Sequence, residues 1–463
     1  MRVKFSSILL ILTVLLLGCK DKVVEPATES ATNKWIYEQM NYWYYWNAEI
    51  PKTPDYSKSP KDFFSSLLYK YDATLRPNGD RFSWIQESAT ELEESLSGKT
   101  TTTGMEFKLS YYPAGSKSVI GLATYILPNS PAQKAGFKRG DFFMAINGES
   151  LTADNYSKLI ATEGTLSYTL GEINQEGIIV ATSNSRSVGQ EVIQANPVYF
   201  DTLYVKEGKT IGYLVYNQFY PEPYQSGTGE YDKKLETIIG NFKSKGATAL
   251  ILDLRYNPGG YVSSATQLAS LIGKVTTNDI FYYKEYNSNV TPDLTKKYGE
   301  SFFYDKFKSK AQNIGSQLDN LIVLTSTGTA SASELLINGL KPFMKVSVIG
   351  GKTVGKNVGS ITLTNEEGGI KYGLQPIVTK SFNSLHQSDY STGFVPEVSV
   401  TEGLKLYPFG SPEDPLLGEA LFKITGIRTT RVAAKSTLSF DTSDEIMSSI
   451  SKKAGGSNMF FDK

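Results

Sequence analysis

The most restrictive feature of the sequence is an alternation of apolar strands and amphipathic helices that begins near Val192. The apolar runs 248–254 and 321–325 are too hydrophobic to be strands with one exposed face. Apolar residues recur at helical spacing before the first run, in residues 232–245, and between the two runs, in residues 265–272. This alternation favours an α/β domain in which helices cover a buried sheet.

Two regions of different character precede this alternation. Residues 35–46 contain three of the four tryptophans, spaced so that aromatic side chains share one face of a predicted helix. From about Thr101 the sequence changes to short apolar runs separated by turn residues such as Asn147-Gly148, which favours a β-rich domain. The predicted fold class is a multidomain α/β chain with a small helical N-terminal domain, a β-rich domain and an α/β core.

Residue counts exclude several classes of function. The 463 residues suggest two to four domains, at about 100–200 residues per domain. Lys+Arg and Asp+Glu both total 47, so the chain lacks the basic footprint of a nucleic-acid-binding protein. With one cysteine, Cys19, and one histidine, His386, the chain has too few residues for an internal disulfide or a Cys/His zinc site. A Ser-His-Asp triad would depend on His386 alone.

The N-terminus has the pattern of an export signal. Arg2 and Lys4 precede an apolar run over residues 8–17, which suits a signal peptide and is shorter than the ~20 residues that span a bilayer. Gly18-Cys19 after this run resembles the lipobox of bacterial lipoproteins, which implies cleavage before Cys19 and lipidation of its thiol. The alternative is an ordinary secretory signal with an incidental cysteine. The resemblance predicts a lipid-anchored membrane lipoprotein of the cell envelope, facing either the periplasm or the cell surface.

Three loops that follow buried strands carry residue types suited to catalysis. In the loop 253–260 (DLRYNPGG), Gly259 and Gly260 allow close backbone approach and outward N–H groups, as in an oxyanion hole; the alternative is a plain Pro-Gly turn. Ser331 lies in TASASE (329–334), where a strand meets a helix whose dipole favours a developing anion. The alternative is a helix N-cap.

The third loop, 350–356 (GGKTVGK), contains two lysines, Lys352 and Lys356. A free lysine has a pKa of about 10.4 and is a poor base at neutral pH. Burial disfavours the charged ammonium and lowers this pKa, so a buried lysine here suits general-base chemistry. The alternative for either lysine is a solvated loop charge.

Together, these loops resemble the C-terminal processing (tail-specific) peptidases, a serine–lysine family with a crotonase-like (ClpP/crotonase-type) α/β core. The resemblance covers most of the chain and includes LDLR-x-NPGG, TASASE and T-x-G-K in the same order. It implies that Ser331 is the nucleophile, that Lys356, 25 residues later, is the general base, and that Gly260 and Ala332 supply the oxyanion N–H groups. It implies no metal and no cofactor.

One position departs from the family pattern. Many members carry glutamine four residues after the lysine, whereas this sequence has Ser360. The third catalytic member is therefore open among Ser360, Asn357 and Glu334.

The β-rich region resembles the PDZ module that precedes the core in this family. The matching residues are LPNSPA (127–132) and AGFKRGD (135–141). Four residues occupy the place of the carboxylate-binding loop: Gly104, Met105, Glu106 and Phe107. The resemblance implies that a peptide adds as a strand and is held by its terminal carboxylate; the alternative is a β-rich spacer.

The sequence thus predicts a serine-type endopeptidase that cleaves unstructured or C-terminally presented polypeptides in the bacterial cell envelope. One alternative is a catalytically inactive lipoprotein that binds peptides or other ligands on the same fold. An acyl-CoA enzyme fits poorly, since an exported lipoprotein does not meet CoA. The predicted boundaries are signal peptide 1–18, tether 19–33, helical domain 34–98, PDZ-like domain 99–190, peptidase core 191–430 and polar tail 431–463.

Overall fold

The computed structural model describes residues 25–428, 445–452 and 459–461. The predicted signal peptide and the lipidation site Cys19 lie outside the described residues and stay predictions. Within the part of the chain that is described, no helix has both the length and the apolar character needed to cross a membrane.

The N-terminal domain is helical, as predicted, but it begins earlier than the predicted boundary at residue 34. The Thr28 hydroxyl accepts a hydrogen bond from the Ala31 N–H at 3.2 Å and caps the first helix, so the predicted tether is helical from Glu29. Aromatic and aliphatic side chains of the first two helices form one core. The elements are α1 (Glu29–Trp43), α2 (Pro60–Leu67), β1 (Trp84–Gln86) and α3 (Ala89–Leu96).

The next domain is an antiparallel β-sheet with two short helices. Its elements are β2 (Lys99–Thr102), β3 (Met105–Tyr111), β4 (Val119–Ile126), α4 (Pro131–Lys134), β5 (Phe142–Ile146), β6 (Glu149–Ser150), α5 (Tyr156–Ile160), β7 (Leu166–Ile173), β8 (Ile179–Val188) and β9 (Glu191–Gln194). The main sheet runs in the order β3-β4-β5-β7-β8. Strands β2 and β9 pair with each other where the chain enters and leaves the domain.

The α/β core alternates strands and helices as the sequence predicts. Its elements are β10 (Val198–Lys206), β11 (Lys209–Tyr216), α6 (Glu230–Ser244), β12 (Ala249–Asp253), β13 (Gly260–Tyr261), α7 (Val262–Ile272), β14 (Ile280–Tyr286), α8 (Val290–Tyr298), β15 (Tyr304–Lys306), β16 (Asn320–Thr325), α9 (Ala332–Leu340), β17 (Val346–Gly350), β18 (Val358–Ser360), β19 (Leu363–Asn365), β20 (Ile370–Gln375), β21 (Ile377–Phe382), β22 (Val398–Ser399) and α10 (Pro415–Thr425).

The main sheet of the core has the order β10-β11-β12-β16-β17-β22 and is parallel from β11 onward. Alternate residues of each strand face opposite sides. Leu250 and Leu252 pack with α6, α7 and α9, whereas Ile251 packs with α10. Because β12, β16 and β17 are parallel neighbours, the loops that follow them emerge at one edge of the sheet.

A further segment completes two of the sheets. It contains β23 (Glu445–Ser448), α11 (Ser449–Lys452) and β24 (Met459–Phe460). The prediction of a loosely held polar tail over 431–463 is wrong for these residues, because β23 pairs with β3 and β24 lies between β13 and β18. Apolar residues of two short runs provide the burial: Met447 is 8% exposed and Met459 is fully buried.

Candidate active site

Backbone hydrogen bonds join the three loops predicted to carry the chemistry. The Asn257 carbonyl accepts from the Ala330 N–H at 3.1 Å and from the Ser333 hydroxyl at 3.1 Å, which links the first loop to the second. The Val354 N–H donates to the Thr329 carbonyl at 3.0 Å, which links the third loop to the second. Sequence segments up to about 100 residues apart therefore form one cluster.

Ser331 lies at a sharp turn between β16 and α9. Its backbone has φ 63° and ψ −113°, a combination that is rare and strained for a residue with a side chain. The side chain is fully buried, and its hydroxyl has no hydrogen-bond partner among the described residues. A buried hydroxyl left unpaired on a strained turn needs a functional explanation.

Lys356 is also fully buried. Its Nζ lies 4.9 Å from the centre of the Phe82 ring, which belongs to the N-terminal domain. Burial lowers the pKa of Lys356 well below its usual value; the nearby charges of Asp80 and Glu334 oppose this shift, and Arg81 adds to it. The environment therefore favours an uncharged amine, as general-base chemistry requires.

Glu334 ties the loop that carries Ser331 to the loop that carries Lys356. Its buried carboxylate accepts hydrogen bonds from the N–H groups of Ser331 (2.8 Å), Gly355 (2.7 Å) and Lys356 (2.8 Å) and from the Thr353 hydroxyl (2.5 Å). Burial raises the pKa of Glu334, although all four donors favour its ionised form. Of the three candidates for a third member, Glu334 is thus the one that fixes the backbone of both Ser331 and Lys356.

The other two candidates make different contacts. The Asn357 side-chain amide donates to the Ser388 carbonyl at 2.9 Å. The Ser360 hydroxyl donates to the Gln375 side-chain oxygen at 2.7 Å and to the Met459 carbonyl at 3.2 Å. A glutamine side chain, that of Gln375, thus contacts Ser360, although it lies 15 residues later on β20 and no local pattern in the sequence distinguishes it.

The predicted oxyanion residues lie on the first two loops. Gly260 has φ 134°, and a Cβ there would approach the Phe219 carbonyl oxygen to 2.3 Å, so only glycine fits. The Tyr261 N–H donates to that same carbonyl at 2.8 Å and fixes the loop. Ala332 is the first residue of α9, where the N–H groups of a helix are free to meet an anion.

A buried ion cluster anchors the first loop to the β-rich domain. The Arg255 guanidinium forms ion pairs at 2.7–2.9 Å with three carboxylates, those of Asp253, Asp414 and Glu402. Arg139 of the β-rich domain pairs with the same Glu402 at 2.6 Å. The sequence analysis missed this cluster, because its members come from three parts of the chain that are more than 100 residues apart: Arg139, the pair Asp253 and Arg255, and the pair Glu402 and Asp414.

The predicted carboxylate-binding residues already have partners within the chain, and all but Gly104 belong to strand β3 and not to a loop. The N–H groups of Gly104 and Met105 donate to the side-chain oxygens of the two threonines just before them, at 3.1 and 3.3 Å. The Phe107 N–H donates to the Ser449 hydroxyl at 2.9 Å, and that hydroxyl donates to the buried Glu106 carboxylate at 2.6 Å. Capture of a peptide carboxylate by these residues stays a prediction.

Comparisons with known proteins agree with this architecture. The model of peptidase family S41 matches residues 210–400, which contain all three loops. The model of the peptidase S41 N-terminal domain matches residues 31–84, and a PDZ domain model matches residues 122–167. The three matches fall, in order, in the α/β core, the helical domain and the β-rich domain.

Individual relatives show the same relationship. Proteins named carboxyl-terminal-processing protease from Picosynechococcus sp. and Synechocystis sp. are each 25% identical to this chain, over 77% and 76% of it and 75% and 78% of their own lengths. The crystal structure of a Bacteroides fragilis protein assigned to the S41 proteases matches with a TM-score of 0.68 and 26% identity, covering 85% of this chain and 97% of that one. The chain therefore belongs to peptidase family S41, carries the N-terminal and PDZ domains ahead of its peptidase core, and is homologous to the carboxyl-terminal-processing proteases.

Proposed function

We propose that this chain is a serine-type endopeptidase in which Ser331 is the nucleophile and Lys356 is the general base. The observation that carries the proposal is the pairing of two buried groups across one carboxylate. Glu334 holds the backbone of a strained serine with an unpaired hydroxyl and the backbone of a lysine whose pKa burial has lowered. A serine peptidase without a catalytic histidine needs another general base, and a lysine of lowered pKa can serve as one.

The proposed reaction has two halves. The neutral amine of Lys356 takes the proton of the Ser331 hydroxyl, and Oγ forms a bond to the carbonyl carbon of the scissile peptide. The N–H groups of Gly260 and Ala332 stabilise the oxyanion, and the ammonium then gives its proton to the leaving amine. In the second half, the same lysine takes a proton from a water molecule, and the water oxygen bonds to the acyl carbon. The ester bond to Ser331 Oγ then breaks, the lysine returns the proton to that oxygen, and the new C-terminus is released.

The first proton transfer requires a movement of the lysine side chain. In this structure Ser331 Oγ has no partner among the described residues, so the hydrogen bond to the amine that the mechanism needs is not formed. The amine lies instead over Phe82. Rotation of the Lys356 side chain toward Ser331 on substrate binding closes the dyad, and hydrogen bonds of this kind commonly tighten only in the substrate complex.

The proposed substrates are unstructured polypeptides, presented by their C-termini through the PDZ domain. The outer edge of β3, which β23 occupies in this structure, would offer main-chain groups to an extended peptide, and Gly104 to Phe107 lie at the start of that strand. Cys19 is the proposed lipid attachment site, which places the enzyme at a membrane of the cell envelope. Cys19→Ser is expected to move the protein from the membrane fraction to the soluble fraction of the envelope.

The direct test compares three alanine variants of the full chain. Ser331→Ala and Lys356→Ala are each expected to abolish the hydrolysis of labelled casein while retaining a cooperative thermal transition. Lys352→Ala is the matched control, because Lys352 lies on the same loop and is exposed. Full activity of either purified active-site variant would disprove the assignment. If the wild-type protein hydrolyses casein under no condition tested, the alternative of a catalytically inactive binding protein is favoured.

A further inference from the structure

The described residues near the end of the sequence contact both surfaces at which a peptide substrate would bind. We call residues 445–452 and 459–461 the C-terminal segment. Its first strand, β23, lies on the PDZ domain, and its second, β24, lies in the catalytic core. The segment therefore follows the route that the proposed function assigns to a substrate.

At the PDZ domain the segment adds to the sheet as a ligand would. Strand β23 runs antiparallel to β3, with Met447 opposite Leu109, and Met447 packs into the hydrophobic core of the domain. Beyond the strand, the Ser449 hydroxyl accepts from the Phe107 N–H and donates to Glu106. Addition of a strand to an open sheet edge is a recurrent mode of peptide recognition.

In the core the segment fills the gap between two active-site elements. Strand β24 pairs in parallel with β13, where Met459 lies beside Gly260, and with β18, where Phe460 lies beside Ser360. The Phe461 N–H donates to the Ser360 carbonyl at 3.2 Å. The segment thus lies between the proposed oxyanion glycine and the strand that follows Lys356.

The side chains of the segment fit this gap closely. Met459 is fully buried, and its sulfur accepts a hydrogen bond from the Ser381 hydroxyl at 3.5 Å. Phe461 is 9% exposed, and its ring lies 6.1 Å from that of Tyr282. A Cβ at Gly359 would approach the Phe461 ring to 2.1 Å, so the glycine provides the space that this ring occupies.

We propose that the C-terminal segment is a built-in pseudosubstrate, which occupies the PDZ edge and the catalytic cleft of its own chain and competes there with polypeptide substrates. This inference rests on the proposed function and adds regulation to it. The Met459 carbonyl accepts from Ser360, while Ser331 Oγ has no partner among the described residues, so the segment is bound without engaging the nucleophile.

Tethering makes such competition strong. A ligand on the same chain acts at an effective concentration on the order of millimolar, so an external peptide must displace it. The apparent affinity for substrate is then the intrinsic affinity multiplied by the fraction of molecules whose cleft is open. Removing the segment from the cleft should raise activity without changing the catalytic residues.

The first test places a charge where the segment is buried. Met459→Asp, in the full chain, removes the stabilisation that comes from burying a methionine side chain. This loss corresponds to roughly a 10-fold to 100-fold shift of the equilibrium from the occupied cleft toward the open cleft. Casein hydrolysis at substrate concentrations below KM is expected to rise at least several-fold. Ser451→Asp is the matched control, because it adds the same charge to an exposed position of the same segment, and its activity should equal that of the wild type.

The second test measures binding in the absence of catalysis. A fluorescent peptide with the sequence of residues 445–461 is titrated against Ser331→Ala and against Ser331→Ala/Met459→Asp. The inference predicts that the peptide binds at least tenfold more tightly to the double variant, in which the cleft is open. A peptide that carries aspartate in place of Met459 should not bind. Equal binding to Ser331→Ala and to the double variant would overturn the inference. This result is independent of catalysis, so it holds even if the proteins that retain Ser331 do not hydrolyse casein and the proposed function fails.

The integrity of the wild-type chain separates a pseudosubstrate from a substrate. Intact mass spectrometry of the purified wild-type protein, after incubation at working temperature, is expected to show the full chain with no loss beside Met459. Cleavage within the segment would show that it is a substrate of its own active site and would overturn the inhibitory role.

Discussion

The contribution of Glu334 can be tested with the nearly isosteric change Glu334→Gln. The carboxylate accepts four hydrogen bonds, from three backbone N–H groups and the Thr353 hydroxyl. An amide directs its NH₂ group at one pair of these donors. In the better orientation the NH₂ group faces Thr353 and Gly355. The Thr353 hydroxyl can then rotate and accept a hydrogen bond from the amide, but the Gly355 N–H faces another donor and is left without an acceptor.

The cost follows from that single lost bond. A hydrogen bond to a charged group contributes about 1.5–3 kcal/mol, and a buried donor left unsatisfied costs a similar amount. We therefore expect the free energy of unfolding to fall by about 2–3 kcal/mol. If the displacement of the Ser331 and Lys356 backbones is felt fully in the transition state, about 2.7 kcal/mol corresponds to a 100-fold fall in kcat.

The assay combines urea unfolding with steady-state kinetics on a fluorogenic peptide. Because Glu334 holds backbone and does not reach the substrate, kcat should fall while KM changes by less than about twofold. Glu367→Gln is the control, because Glu367 is exposed. A Glu334→Gln enzyme with kcat within threefold of the wild type and an unchanged urea midpoint would refute the positioning role.

Three further predictions follow from burial and backbone geometry. Burial lowers the pKa of Lys356 below 10.5, so between its folded and unfolded pKa the unfolded chain binds more protons and the free energy of unfolding rises with pH. In urea unfolding, Lys356→Met should abolish this dependence of the unfolding free energy on pH, and it should stabilise the protein most at the acid end of the window. Burial raises the pKa of Asp232 from 3.8 to about 6, so its contribution to stability is lost as pH rises through that range; Asp232→Asn should increase the unfolding free energy by about 1–3 kcal/mol at pH 7 and by nothing near pH 3. Gly260→Ala should abolish casein hydrolysis, because its Cβ would meet the Phe219 carbonyl. Gly208 also has a positive φ but has open space around it, so Gly208→Ala should lower the free energy of unfolding by only about 1–2 kcal/mol and leave activity intact.

The parts of the site that are local in sequence could be predicted from it. The loop around Gly260, the turn at Ser331 and the loop ending at Lys356 each follow an apolar strand, and parallel neighbouring strands present their following loops at one edge. Small residues allow close approach, and the helix after Ser331 begins at Ala332. Chain order and residue type were therefore sufficient to predict that these three loops lie together.

The parts that depend on distant contacts could not be predicted. Glu334 was one of three candidates, and only folding shows that its carboxylate reaches the N–H groups of a loop about 20 residues away. Gln375 and Arg139 carry no local signal, since each acts through a partner on another strand or domain. The C-terminal segment was misjudged because most of its apolar residues fall in runs of only two and three, at 446–447 and 459–461, which are too short to show a strand or helix period.

The N-terminal domain helps to form the surroundings of Lys356, which its sequence did not suggest. Phe82 covers the amine of Lys356, and the Arg81 guanidinium donates to the Gly355 carbonyl at 2.8 Å, directly beside that lysine. Because burial is the main cause of the lowered pKa, the basicity of Lys356 depends on contacts made by residues more than 270 positions earlier in the chain. Loosening this domain would admit water to the amine, return its pKa toward the ordinary value and leave the nucleophile without a base at neutral pH. The helical domain is thus as much a part of the proposed general base as the loop that carries the lysine.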